Sequence, residues 1–204
     1  MATGHVRRSQ AERTASTRAR LLGATVDCLV ELGFAATTTT EVTKRAGVSL
    51  GALVHHFPTK ADLLTAAVGH VMQERQGHFR KAMSDVEPGA DLLAAAIDRL
   101  WEAFGGPTFV AWVELWVGAR ADPDLAAAVR ALDNEFERGS IEIFQELFPA
   151  SEYPDARFLA GGLRFAMSVM DGVALRGLIV KDADTTPIEL LKAITRERLN
   201  REET

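Results

Sequence analysis

Apolar residues recur along this chain at intervals of three and four, and no β-branched stretch alternates long enough to form a strand, so the pattern predicts an all-α fold. Leu21, Leu22, Val26, Leu29 and Leu32 place a first helix over 18–32, with Gly33 as its stop. Thr38-x-x-Glu41 reads as a capping box, in which the Thr hydroxyl accepts one orphan amide and the Glu carboxylate reaches back to another; it opens a second helix that ends at Gly47. Ser49 caps a third, short helix through His56, closed by Pro58. A longer helix follows over 60–83, then a turn at Glu87-Pro88-Gly89 and a fifth helix over 91–104, stopped by Gly105-Gly106. Pro107 opens a sixth helix to about 120 and Pro123 a seventh to about 148, before Pro149; segments 155–180 and 187–200 supply the eighth and ninth. The charged stretch from Arg196 onward is expected to fray.

Two unequal parts fit the 204 residues. Composition is that of an ordinary folded chain, 47% hydrophobic and 25% charged. The net charge of −5 argues against a polyanionic partner until it is divided by position. Residues 1–60 carry eight Lys and Arg against four Asp and Glu, a balance of +4, whereas the remainder carries fifteen against twenty-four, −9. A cationic first part beside an anionic second part suits phosphate neutralisation at one end only. Cys28 stands alone and reads as a small buried apolar residue, and no Cys/His cluster has metal-binding spacing, so neither metal nor cofactor is expected. The polar, basic opening has no apolar core of a secretory signal, and no apolar run approaches the about 20 residues that cross a bilayer; the expected location is the cytoplasm.

Three short helices in the first 56 residues, with Ala46-Gly47-Val48-Ser49 between the second and third, describe a helix-turn-helix. Gly47 supplies the left-handed turn, Val48 plugs the small core, and Ser49 caps the next helix so that its N-terminus faces outward. The recognition helix of such a unit enters the DNA major groove. The run Gly33-Phe34-Ala35-Ala36-Thr37-Thr38, followed by Ala46-Gly47-Val48-Ser49-x-Gly51-x-Leu53-x-x-His56-Phe57-x-x-Lys60, resembles the TetR-type (TetR/AcrR) transcriptional regulators over about 45 residues. The resemblance implies a basic arm at 1–16, a DNA-binding domain at 17–60, and a ligand-binding and dimerisation domain at 61–204. It implies phosphate contacts for Thr38, His56 and Lys60, and base contacts at the groove-facing Leu50, Ala52 and His55, with Ser49 and Gly51 beside them. Leu50 and Ala52 suit thymine methyls and His55 a purine edge, but none makes a bidentate pair. The family usually carries an aromatic, most often Tyr, where this chain has Val54, which puts one phosphate contact in doubt. Lys44, Arg45 and the arm residues Arg7, Arg8 and Arg13 are candidates to replace it. Adjacent helical residues point about 100° apart, so His55 and His56 do not read as a metal pair.

In the second part, large side chains mark a candidate effector site. Trp101, Phe104, Trp112 and Trp116 come from the middle helices, with Glu114 as a polar anchor; Phe136, Met167, Met170 and His70 are further candidates, and core packing competes for each. The effector expected is small and apolar or amphipathic. A helix-turn-helix that reads a palindrome requires a homodimer. The small residues of the eighth helix, with Leu159, Leu163, Ala166 and Leu175, and Leu190, Leu191 and Ile194 of the ninth, are the candidate interface; packing within the chain is the competing explanation. No hydrolase, metalloprotease, phosphate-loop or dinucleotide motif is present, so an enzyme is not expected. An adaptor that kept the fold but lost sequence-specific DNA binding, and an activator instead of a repressor, stay open.

Overall fold

In the computed structural model, residues 10–87, 89–104, 106–148, 156–182 and 184–200 are described, except for the side chains of 103, 156–159 and 198–200. Arg7, Arg8, Pro88, Gly105, Pro149, Asp155 and the last four residues therefore lie outside the description, as does the Leu159 side chain. Among the described residues there are nine helices and no strand: α1 Gln10–Ala36, α2 Thr39–Ala46, α3 Leu50–His56, α4 Lys60–Ser84, α5 Leu92–Ala103, α6 Pro107–Ala119, α7 Pro123–Leu147, α8 Ala156–Gly177 and α9 Thr186–Asn200. Among the same residues no helix is long and apolar enough to cross a membrane.

The chain divides into two compact units, Met1–Val71 with Val110–Leu132, and Met72–Phe109 with Asp133–Thr204. This corrects the boundary expected near residue 60. The first unit takes in most of α6 and the start of α7, because Phe34 N–H donates to Glu114 Oε2 at 2.7 Å and a Cβ on Gly118 would overlap the Phe34 ring. Only one of its two segments is contiguous with the helix-turn-helix, so no composition change marks it. The expected flexible arm is also shortened: residues 10–16 belong to α1, where Thr14 and Thr17 hydroxyls each donate to the carbonyl four residues back.

In the first unit, Leu21, Leu22, Cys28 and Leu29 of α1 are buried with Val42, Leu53, Leu63 and Leu64. Burial pushes the Cys28 thiol above its ordinary value, with Arg45 acting weakly against it, which fits an inert core residue. Gly33, at φ 76 and ψ 171, interrupts α1 where the apolar pattern stops, and one further turn carries the chain to Ala36. In the second unit, Phe79 and Met83 of α4, Leu93 and Ala96 of α5, Ile143, Phe144 and Phe148 of the α7 end, and Leu163 of α8 form one core. α9 packs on α5 and α8.

Candidate functional site

The turn between α2 and α3 is built from three local devices. Thr38 Oγ accepts from the Glu41 amide at 3.2 Å, opening α2. The reciprocal half of the expected capping box does not form: the Glu41 carboxylate instead lies 3.8 Å from Lys44 Nζ, the neighbour one turn on. Gly47, at φ 62 and ψ 43, ends α2 in the left-handed conformation, and Val48 N–H returns to the Thr43 carbonyl at 3.1 Å. Ser49 Oγ then accepts from Ala52 N–H at 3.2 Å, opening α3. Val48 is half-buried, while Val42 is the fully buried plug of this small core.

An additional clamp comes from α1. The Arg20 guanidinium donates to the Ala46 carbonyl and, at 2.8 Å, to that of Gly47, binding the last orphan oxygens of α2. A Cβ on Gly47 would meet Arg20 Nη2 at 2.8 Å. The α2–α3 turn thus depends on glycine twice over. Sequence reading missed Arg20, whose partners lie 26 and 27 residues away.

α3 is seated by one face and open on the other. Leu53 and the following Phe57 are buried, whereas Leu50 is 54% and Val54 51% exposed, and Gly51 and His55 are also exposed. Ala52 and His56 are half-buried, the His56 ring 5.6 Å from that of His55 and 6.2 Å from that of Phe57. The open face therefore joins Leu50, Gly51, Val54 and His55, flanked by the exposed Ser49 and Thr38 and by Lys44, whose side chain is almost fully in water.

Two cations expected at this face are engaged elsewhere. Arg45 Nη2 pairs with Glu31 Oε2 at 2.7 Å, a contact that raises its pKa, so its charge is spent within the unit. Lys60 Nζ lies 4.7 Å from the centre of the Phe34 ring, and its partial burial lowers its pKa, with Asp122 acting the other way. α4 is opened by a true capping box that went unread: Thr59 Oγ accepts the Asp62 amide at 3.0 Å while Asp62 Oδ2 accepts the Thr59 amide at 3.0 Å. The Thr59-x-x-Asp62 spacing was its signal.

The second unit contains a cleft with about 410 Å³ of unfilled space, part of it open to solvent. Arg75, Gln76 and Phe79 of α4 form one side, Phe136, Ser140 and Phe144 of α7 another, and Leu100, Phe104, Leu163 and Met167 complete it with Ile143. Of the effector candidates, Phe104, Phe136 and Met167 stand on its wall. Trp101 stacks against Phe104 at 6.4 Å, and Met170 is fully buried. Trp112, Glu114, Trp116 and His70 belong to the first unit and do not line the cleft. Trp112 packs on Trp116 at 5.2 Å, Glu114 receives the Phe34 amide, and His70 is exposed.

The interface candidates separate by helical period. Leu163, Ala166 and Leu191 are buried within their own unit, Leu163 on the cleft wall, which corrects their expected place at a surface. Leu175, Leu190 and Ile194 are 51, 57 and 47% exposed, and Phe165 joins them at 52%.

A family profile described as "Bacterial regulatory proteins, tetR family" matches residues 21–67, and one described as "Tetracyclin repressor-like, C-terminal domain" matches 84–201. An uncharacterised HTH-type transcriptional regulator of Mycobacterium tuberculosis is 31% identical over 173 residues, 84% of this chain and 88% of that protein. The HTH-type transcriptional regulator BetI of Stenotrophomonas maltophilia is 30% identical over 166 residues, 80% of this chain and 82% of its own. The structure of a TetR family member from Streptomyces coelicolor superimposes with a TM-score of 0.62 at 26% identity, covering 87% of this chain and 96% of that one. With both profiles in order along a chain whose α2–α3 turn is capped and clamped as described, this protein belongs to the TetR family of helix-turn-helix transcriptional regulators.

Proposed function

We propose that this regulator is a repressor that binds a palindromic operator as a homodimer and is released by a small apolar or amphipathic molecule bound in the cleft of the second unit. The observation that carries the reading is the open face of α3. A seven-residue helix whose outward side is Leu50, Gly51, Val54 and His55 has no packing reason to leave two large apolar residues in water. Thymine methyls in a major groove would cover them. Thr38 and Lys44 are the candidates for phosphate contacts, with Arg45 and Lys60 able to join only by giving up Glu31 and the Phe34 ring.

The dimer reading is supported by exposed apolar side chains at helical spacing, Phe165 and Leu175 on α8, and Leu190 and Ile194 on α9. Ligand release is a population shift: an occupant of the cleft favours a conformation in which two recognition helices no longer match half-sites about 34 Å apart. α4 is the element to carry it, running unbroken from Lys60 to the cleft residues Arg75, Gln76 and Phe79. Selection from a pool of random duplexes, using the full chain, tests the reading. Recovery of an inverted repeat supports it; salt-sensitive binding with no enriched sequence would favour the adaptor that has lost its operator.

A further inference from the structure

The cleft of the second unit has one ionisable group on a wall that is otherwise apolar, save for Gln76 and Ser140. That group, the Arg75 guanidinium, stands 4.5 Å over the face of Phe104. Among the described residues no carboxylate comes within ion-pairing distance of it; Asp171 acts on it only through space and does not line the cleft. Burial brings its pKa down to about 10, so it is still a cation at neutral pH, held in place by a ring face and little else.

The neighbouring polar atoms are already oriented. Gln76 Nε2 donates to the Phe136 carbonyl at 2.9 Å and to Ser140 Oγ at 3.0 Å, which uses both amide hydrogens. What Ser140 has left to offer an occupant is its hydroxyl hydrogen, a second donor beside the guanidinium. The Phe79 and Phe144 rings stack at 6.2 Å with an interplanar angle of 3°, making a flat apolar wall for the body of a ligand.

A donor pair at one end of an aromatic slot has a definite complement. A carboxylate would receive two parallel bonds from the planar guanidinium fork and replace the hydration that the wall denies it. An ammonium would meet a like charge, and a neutral amide would leave the cation unpaired. The geometry points to an apolar monocarboxylate of about the size of one aromatic ring as the class of effector, its carboxylate on Arg75 and its body against the Phe79 and Phe144 rings. This rests on the cleft being the effector site.

Three probes with one skeleton and different heads separate the possibilities: 3-phenylpropanoate, 3-phenylpropanamide and 3-phenylpropan-1-amine, each titrated calorimetrically into the full-length protein. The acid is expected to bind at least about tenfold tighter than the amide, and the amine not measurably. In Arg75→Met the preference for acid over amide falls to within about twofold, and in Arg75→Lys, which keeps the charge but loses the fork, it survives in reduced form. The lysine variant decides the matter if the methionine variant does not fold. Equal binding of acid and amide, or a preference unchanged in either variant, would overturn the monocarboxylate alone. No binding of any probe overturns both it and the cleft as effector site, and leaves the DNA-binding reading standing.

Discussion

Gly47 shows how much a single position can determine. Its left-handed φ of 62° is accessible to an L side chain only with strain, and the space where a Cβ would sit is held by the Arg20 guanidinium. Gly47→Ala is therefore expected to lower stability by about 1–2 kcal/mol, read as a shift in the urea midpoint without a change in slope. This residue was legible in the sequence because its requirement is local, set by the helix before it and the cap after it. Arg45 and Glu114 were not. Each was given a ligand-facing role on the strength of its charge, yet Arg45 is held by Glu31 and Glu114 receives the amide of Phe34, 80 residues away. Spacing along a chain carries no record of such distances, and a lone charged residue has many possible partners.

At the scale of elements, helix positions were readable to within a few residues because apolar period, caps and breakers agree. The exception is the start of α1, eight residues earlier than the apolar pattern begins, since Gln10 to Thr17 is polar and nothing in its periodicity marks it as helical. Caps also connect elements in ways the sequence conceals. Asp91 opens α5 by accepting the Ala94 amide at 2.9 Å, and Arg196 of α9 pairs with the same carboxylate at 2.7 Å. The Ala94 amide, followed by the Arg196 side chain, holds the Asp91 carboxyl below its ordinary value of 3.8. A depressed folded-state pKa stabilises the protein above the unfolded value and loses that contribution as pH falls through the folded one. Asp91→Asn keeps the capping oxygen and removes the charge. Its melting temperature is expected to fall below that of the native protein at neutral pH, and the two are expected to converge at the acid end; a constant gap across the titration would rule out the carboxylate as the cause.

For the molecule as a whole, the division of charge was visible from composition, but the division into units was not. The first unit recruits Val110–Leu132, a segment whose own pattern is that of any amphipathic helix, and so the aromatic residues Trp112 and Trp116 that looked like effector contacts belong with the DNA-binding end. Periodicity also marked the apolar side of α8 and α9 without saying which half of it faces inward. Leu163, Ala166 and Leu191 turn in, and Leu175, Leu190 and Ile194 stay in water. If the exposed set is the dimer contact, Leu190→Glu combined with Ile194→Glu yields a folded monomer by analytical ultracentrifugation and weakens operator binding. A dimer that persists would move the contact elsewhere.

The claim on which the functional account depends is that the outward face of α3 meets DNA. Val54 is half in water and contributes little to the core, so Val54→Glu should leave the melting temperature nearly unchanged while placing a carboxylate where phosphates and base edges would lie. Measured by fluorescence anisotropy on the operator recovered by selection, the account predicts a loss of affinity of about 100-fold for this variant. An unchanged affinity in a protein that melts like the native one would contradict it.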